Sequence, residues 1–200
     1  MIPMADHMTQ VHSDIRGPLF LRALEIQQQG EKVLKLNTGN PAAFGFTMPQ
    51  SVRDALVANV DQAVAYCDFR GMPAARQAII NYQTGVKGIR GIRPEDVFIG
   101  NGVSELITMC TQALLNPGDE MLLPSPSYSL WSNSVYLAGA KPVFYRCDEQ
   151  SDWFPDVADM RAKVTPRTRA ILLINPNNPP APFTRGSCFP KSPPWLRKST

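Results

Sequence analysis

The sequence predicts an α/β protein with a mostly parallel sheet flanked by helices, arranged as a three-layer sandwich. Short apolar runs of strand length alternate with helical patterns over much of the chain, and this alternation is typical of parallel strands joined by crossover helices. The last apolar run, residues 170–174, passes directly into two Asn-Pro turns. Asparagine side chains therefore follow the carboxyl end of a strand, where open α/β sheets bind their ligands.

The first half of the chain is predicted to hold three helices and two short strands. A helix is expected at 15–30, because Pro18 suits the first turn of a helix and Gly30 suits its end. Residues 38–46 are rich in Gly, Asn and Pro and are expected to form a loop. The other elements are predicted helices at 49–60 and 73–86 and predicted strands at 33–36 and 97–99.

The second half of the chain carries the regular alternation. Its predicted helices are 103–115, 128–137 and 155–164, and its predicted strands are 120–123, 141–145 and 170–174. After Pro179 the composition becomes rich in proline, without the period of a helix or a strand. Residues 180–200 are therefore expected to form a disordered tail.

Composition excludes several classes of protein. A length of 200 residues and an apolar fraction of 44% suit one globular domain with a core. The net charge of +3 arises in the tail, which holds basic but no acidic residues, so no nucleic-acid partner is expected. Apolar runs are too short to span a membrane and no secretory signal is visible, so we expect a cytoplasmic protein without a membrane partner.

The cysteines and histidines do not form a recognisable ligand set. The cysteines are scattered without a C-x-x-C pair, and we expect reduced thiols. The two histidines, His7 and His12, both lie near the N-terminus, so no metal site is expected.

One motif lies where a predicted strand turns into a helix. Gly102, Val103 and Ser104 follow the strand at 97–99 and open the helix at 103–115. Unpaired backbone N–H groups at a helix N-terminus, together with the helix dipole, favour a phosphate, and the Ser104 hydroxyl can add a hydrogen bond. The alternative for Ser104 taken alone is a helix cap.

Five stretches in this order and spacing resemble the class I/II aminotransferases that depend on pyridoxal 5′-phosphate (PLP) and have fold type I. The five are Leu36-Asn37-Thr38-Gly39-Asn40-Pro41, Tyr66-Cys67-Asp68 followed by Gly71, Gly100-Asn101-Gly102-Val103-Ser104-Glu105, Pro124-Ser125-Pro126-Ser127-Tyr128, and Asn175-Pro176-Asn177-Asn178-Pro179. The resemblance covers residues 15–179 and is greatest to the bacterial alanine aminotransferase branch. Each stretch alone is a weak signal, and the ordered set of five carries the resemblance.

The resemblance implies roles for individual residues. Gly102, Val103 and Ser104 would hold the PLP phosphate, Tyr128 would stack on the PLP ring, and Asn178 would hydrogen-bond the ring oxygen and contribute to substrate binding. The residue-level alternatives are a core aromatic for Tyr128 and a turn-forming Asn178.

Two further residues gain a role from the same resemblance. Gly39 would lie against the substrate carboxylate, where a side chain would prevent close approach. Tyr66 would reach the PLP phosphate of a neighbouring subunit, which implies a homodimer with shared sites. An ordinary loop glycine and a surface or core tyrosine are the alternatives.

The implied reaction transfers an amino group between a small, alanine-like amino acid and a 2-oxo acid such as 2-oxoglutarate. It requires a Schiff-base lysine, a carboxylate near the pyridine nitrogen and a substrate-binding arginine, and in the family all three follow the last of the five stretches. Lys191 and Lys198 lie in the proline-rich tail and do not match the family lysine. We therefore assign no catalytic residue and expect this chain to be inactive alone.

The expected organisation has three parts. Residues 1–45 form an N-terminal arm and part of a small domain, residues 46–179 form a truncated PLP-binding large domain, and residues 180–200 form the tail. We hypothesise that a one-nucleotide deletion near codon 180 put the tail out of frame, because such a loss converts codons for Thr-Gly-Ala-Val-Tyr into Pro-Ala-Pro-Phe-Thr. Exposed apolar faces would then make the product poorly soluble.

Three alternatives remain open at the level of the sequence. The chain can belong to another fold type I PLP enzyme, such as a C–S lyase or a decarboxylase. It can be a non-catalytic PLP-binding domain of a transcriptional regulator, although residues 1–14 are too short for a DNA-binding helical module. It can also be an interaction fragment that pairs with an intact subunit.

Overall fold

The computed structural model describes residues 3–12, 17–36 and 39–178 of the chain. Two compact units are present. We call residues 1–14 with 103–200 the sheet unit, and residues 15–102 the helical unit. The predicted tail at 180–200 lies outside the described residues, and the expected domain boundaries at 45/46 and 179/180 stay predictions.

The sheet unit contains a four-stranded sheet with the order β3-β2-β1-β4. Its strands are β1 (Glu120–Ser125), β2 (Lys141–Asp148), β3 (Phe154–Pro155) and β4 (Thr168–Ile171). β1 pairs in parallel with both β2 and β4, which confirms the predicted mostly parallel sheet. The two-residue β3 pairs antiparallel with the end of β2 and was not predicted, because so short an element has no periodicity.

Three helices of the sheet unit lie close to their predicted positions. They are α4 (Val103–Leu114), α5 (Ser129–Leu137) and α6 (Val157–Lys163). The helix α6 begins two residues later than predicted, because the Asp156 side chain accepts a hydrogen bond from the Asp159 N–H and caps the helix.

Apolar side chains fill both faces of the sheet. Because successive strand residues point to opposite faces, Leu123 packs in one cluster, with Val135 of α5, and Leu122 packs in the other, with Tyr145 and Met160 of α6. Residues 120–124 of β1 are all buried, as expected for a central parallel strand covered on both sides. The predicted sheet flanked by helices is therefore confirmed.

The N-terminal segment belongs to the sheet unit. It forms a short 3₁₀ helix, Asp6–Gln10. The side-chain amide of Asn133, on α5, accepts a hydrogen bond from the His12 N–H at 3.1 Å and donates one to the His12 carbonyl at 2.6 Å. This pair of bonds fastens the end of the segment to α5.

The helical unit contains α1 (Pro18–Gln28), α2 (Gln50–Asn59) and α3 (Pro73–Gly85). The predicted strands at 33–36 and 97–99 are wrong: neither segment is a strand. A strand needs a hydrogen-bonded neighbour. In residues 97–99 the Ile99 N–H donates a single hydrogen bond to the Arg70 carbonyl, which belongs to no strand. In residues 33–36 the side chains of Leu34 and Leu36 are exposed.

Much of the apolar surface of the helical unit is exposed. Among its described apolar side chains only Ile80 and Val97 are buried, whereas Val64 is 89% exposed. No helix in the described part of the chain is long and apolar enough to cross a membrane.

Candidate functional site

The carboxyl edge of the sheet carries two of the predicted site residues. β1 and β4 are parallel neighbours, so the loops that leave their carboxyl ends start at the same edge. The loop after β1 leads to Tyr128, which immediately precedes α5, and the loop after β4 leads to Asn178. Both residues therefore lie beyond strand ends as predicted, although β4 ends at Ile171 and not at residue 174.

The two adjacent asparagines in the loop after β4 differ in burial. Asn177 is buried, and Asn178 is exposed. The Asn177 Nδ2 donates to the Pro126 carbonyl at 3.2 Å, and its Oδ1 accepts from the Asn178 N–H at 2.8 Å. The two loops are thus joined directly by a side chain that the sequence analysis did not single out.

Two side chains beside this junction are open to a ligand. Tyr128 is 37% exposed, and the exposed side-chain amide of Asn178 has no hydrogen-bond partner within the described part of the chain. The Ser127 Oγ is buried and makes no hydrogen bond. An exposed aromatic ring and an unpaired amide on two loops that Asn177 joins suit a flat heteroaromatic ring that carries hydrogen-bonding groups.

The N-terminus of α4 forms the second part of the candidate site in the sheet unit. Val103 and Ser104 are exposed, and the Ser104 hydroxyl has no partner among residues 39–178. Its backbone carbonyl accepts the Thr108 hydroxyl within the helix. Val103 and Ser104 fit a phosphate in chemistry and in access. Gly102, the last residue of the helical unit, immediately precedes the helix and has a φ of +88° and open space where a Cβ would lie.

The other two predicted residues, Gly39 and Tyr66, lie in the helical unit. The Tyr66 side chain is fully exposed, and a Cβ built on Gly39 would meet no atom within 4 Å. Among the described residues of the helical unit, no neighbouring atom therefore requires glycine at position 39. Its predicted role against a substrate stays a prediction.

A network of charged groups holds the turn that follows Tyr66. The Arg70 side chain donates two hydrogen bonds to the Asp68 carboxylate, at 3.1 and 2.9 Å. Arg76, which is buried, donates to the carbonyls of Gly71 and Pro94 and lies 3.4 Å from Asp68 Oδ2. The hydrogen bonds from Arg70 are the main reason that the pKa of Asp68 falls to about 2.

The described residues lack a metal-binding cluster and carry thiols that form no disulfide. No group of three His, Cys, Asp or Glu side chains there could hold a metal ion. The thiols of Cys67, Cys110 and Cys147 are free, and burial raises the pKa of Cys147.

The structure is an α/β domain whose sheet edge and α4 N-terminus carry the candidate site residues. The aminotransferase class I and II family profile matches residues 31–181. The chain belongs to this family, and its fold is that of the fold type I aminotransferases.

Curated relatives and solved structures agree with this assignment. The chain is 51% identical over 178 residues to the glutamate-pyruvate aminotransferase AlaA of Escherichia coli K12, covering 89% of the chain and 44% of the relative. It is 47% identical over 166 residues to an alanine aminotransferase of Mycobacterium tuberculosis H37Rv, covering 83% and 39%. An aminotransferase structure from Escherichia coli matches with a TM-score of 0.89 and 48% identity, covering 94% of this chain and 46% of that one.

A more distant structure gives the same result. The alanine aminotransferase of Pyrococcus furiosus has a TM-score of 0.82 and 39% identity, over 88% of this chain and 45% of its own. The chain spans less than half the length of these relatives.

Proposed function

We propose that the protein transfers an amino group between a small, alanine-like amino acid and a 2-oxo acid, with PLP as cofactor. The observation that carries the proposal is the 51% identity to relatives named glutamate-pyruvate aminotransferase. That name gives glutamate and pyruvate, which are the two products of amino transfer from alanine to 2-oxoglutarate. Because the chain spans 44% of those relatives, the activity is proposed for the whole protein to which these residues belong.

The residues of the sheet unit have the properties that PLP binding requires. The backbone N–H groups at the start of α4 and the Ser104 hydroxyl would hold the phosphate. Tyr128 would face the ring and Asn178 would donate a hydrogen bond to its oxygen. Bound PLP supplies the electron sink for the chemistry at the amino acid, and these residues orient it and keep its phosphate in place.

We also propose that the active unit is a homodimer. Tyr66 is fully exposed and makes no hydrogen bond to the described residues, which suits a side chain that acts on a neighbouring subunit. The exposed apolar residues of the helical unit are chemically suited to an interface. Sedimentation equilibrium tests this proposal, and a strictly monomeric protein with bound cofactor would refute it.

The cofactor proposal is tested with pyridoxine 5′-phosphate, which has the ring and phosphate of PLP but no aldehyde to react with surface lysines. The chain should bind it more tightly than inorganic phosphate in calorimetry. Ser104→Ala should weaken both ligands, and Asn178→Ala should weaken only the first. Ser51→Ala, at an exposed position of α2, serves as the control. Equal affinity of the wild-type chain for the two ligands would contradict the proposal.

The reaction proposal is tested separately with PLP present. The whole protein to which these residues belong is purified and supplied with alanine and 2-oxoglutarate, and glutamate is measured. Formation of glutamate with a preference for alanine over aromatic or acidic donors supports the proposal. Release of sulfide from cysteine or of carbon dioxide from amino acids, without glutamate, would favour a lyase or a decarboxylase.

A further inference from the structure

We propose that Asn177 is a positioning residue of the candidate PLP site, an inference that rests on the proposed cofactor. Its side-chain amide holds the loop after β4 against the loop after β1. Asn178 and Tyr128 are thereby kept together as one ring-binding pair. Asn177 acts through these neighbours, and its own side chain faces the protein.

The first support is the difference in burial between adjacent, chemically identical residues. Asn177 is only 8% exposed, whereas Asn178 is exposed. A buried amide is retained at low cost only when its donor and acceptor groups are both used. Both groups of Asn177 are used, which identifies it as part of the framework and leaves Asn178 free for a ligand.

The second support is the chemistry of the two hydrogen bonds. One partner, the Pro126 carbonyl, can only accept, and the other, the Asn178 N–H, can only donate. The amide therefore has one possible orientation, because a flipped amide would place oxygen against oxygen and N–H against N–H. Asparagine matches this pair, whereas aspartate lacks the donor and alanine lacks both groups.

The third support is the position of the bonded groups. Pro126 lies two residues before Tyr128, and the Asn178 N–H belongs to the residue proposed to contact the ring. The Asn178 side chain makes no hydrogen bond to the described residues, and its backbone N–H donates to the Asn177 Oδ1. Loss of the Asn177 side-chain hydrogen bonds would let the two loops move apart without changing the start of α4.

Because the two loops can move without the start of α4, the ring-binding and phosphate-binding parts of the site can be tested separately. Asn177→Ala should weaken binding of pyridoxine 5′-phosphate by about ten-fold, because a binding loss of about 1.4 kcal/mol is tenfold and each lost hydrogen bond contributes on that scale. Affinity for inorganic phosphate should stay within about two-fold, since phosphate needs only the α4 N-terminus. Hydrogen exchange of the amide at position 178, followed by NMR, should become about ten-fold faster.

Asn177→Asp tests the donor and the acceptor of the side-chain amide separately. It keeps the acceptor for the Asn178 N–H but places a carboxylate oxygen against the Pro126 carbonyl. The amide at 178 should therefore stay protected while pyridoxine 5′-phosphate binds several-fold more weakly. Asn81→Ala, which removes only an exposed contact on α3, is the matched control and should change neither readout.

The possible outcomes are distinct. A parallel loss of affinity for both ligands in Asn177→Ala would indicate general unfolding and would overturn the proposal, as would an unchanged affinity for both. If the wild-type chain binds the two ligands equally, the proposed cofactor is wrong. In that case hydrogen exchange at position 178 still tests whether Asn177 joins the two loops. Faster exchange in Asn177→Ala supports this connection, and unchanged exchange overturns it.

Discussion

The hydroxyl of Tyr145 on β2 donates a 2.7 Å hydrogen bond to the carbonyl of Leu172, just beyond the end of β4. β1 lies between these two strands, so this side-chain bond connects the neighbours of the central strand directly. The Leu172 N–H in turn donates to the Leu122 carbonyl of β1 at 2.8 Å. Leu172, which leads from β4 into the loop that contains Asn177, is therefore hydrogen-bonded to both β1 and β2.

Removal of the Tyr145 hydroxyl should destabilise the sheet unit. In Tyr145→Phe the buried Leu172 carbonyl loses a partner, and we expect the free energy of unfolding to fall by about 1–2 kcal/mol in urea titrations. Tyr82→Phe is the control, because that ring is 49% exposed, and it should stay within about 0.5 kcal/mol of wild type. Equal stability of the two variants would contradict a structural contribution from the buried bond.

Gly71→Ala should destabilise the helical unit strongly. Gly71 has a φ of +103°, and an added Cβ would lie 2.8–2.9 Å from atoms of the Ile99 side chain. Backbone strain and overpacking together should cost about 2–4 kcal/mol. Gly85→Ala, with open space at the end of α3, should be neutral or stabilising by up to about 1 kcal/mol.

A double variant separates the two causes at Gly71. Gly71→Ala combined with Ile99→Gly removes all three close contacts, including the one to the Ile99 Cβ, but keeps the left-handed backbone at position 71. If the contact dominates, the double variant should be more stable than the sum of the two single losses predicts. Additive losses would instead assign the effect to the backbone conformation.

The Asp68 ion pairs should make the stability of the helical unit depend on acid pH. The pKa of Asp68 is lowered from 3.8 to about 2, chiefly by hydrogen bonds from Arg70. A carboxyl group with a lowered pKa stabilises the folded state above its unfolded pKa, and this stabilisation is lost as the pH falls from about 4 to about 2. Asp68→Asn should therefore be less stable than wild type at pH 7, with the difference shrinking towards pH 2.

Urea titrations at pH 7, 4 and 3 measure this effect. Asp96, whose pKa the Arg93 side chain also lowers to about 2, offers a comparison, and Asp96→Asn should show the same direction. In the chain that keeps Asp68, Arg70→Met should reduce the dependence of the free energy of unfolding on pH, because it removes the main cause of the lowered Asp68 pKa. A constant difference between wild type and Asp68→Asn across this range would disprove the assigned linkage.

Exposed apolar side chains of the helical unit should bind a hydrophobic dye when the chain is monomeric and these side chains are not covered by a partner. Val57 and Val64 are 70% and 89% exposed, and replacement of both by lysine should reduce fluorescence of bound anilinonaphthalene sulfonate. The free energy of unfolding should change by less than about 0.5 kcal/mol for each substitution. Ile80→Ala, at a buried position, should instead cost about 2–4 kcal/mol. A large destabilisation by the lysines would mean that these valines are packed in solution.

Candidate site residues differed in how far the sequence could assign them. Ser104, Tyr128 and Asn178 stand beside recognisable turns, and the structure leaves all three exposed as binding residues must be. Asn177 has the same residue type as Asn178, and although only Asn178 precedes a proline, neither feature indicates which of the two amides is buried. Their separation arises from the Pro126 carbonyl, which is 51 residues away in the chain.

Local apolar periodicity was enough to locate the helices and the parallel strands of the sheet unit, because it records which faces are buried. Whether an extended segment became a strand depended on contacts between distant parts of the chain. β1 has β2 and β4 to complete its hydrogen bonds. Residues 33–36 and 97–99 have a similar apolar character but are not paired as strands. A strand and a bridging amide both require a partner that is distant in sequence, and local pattern does not specify that partner.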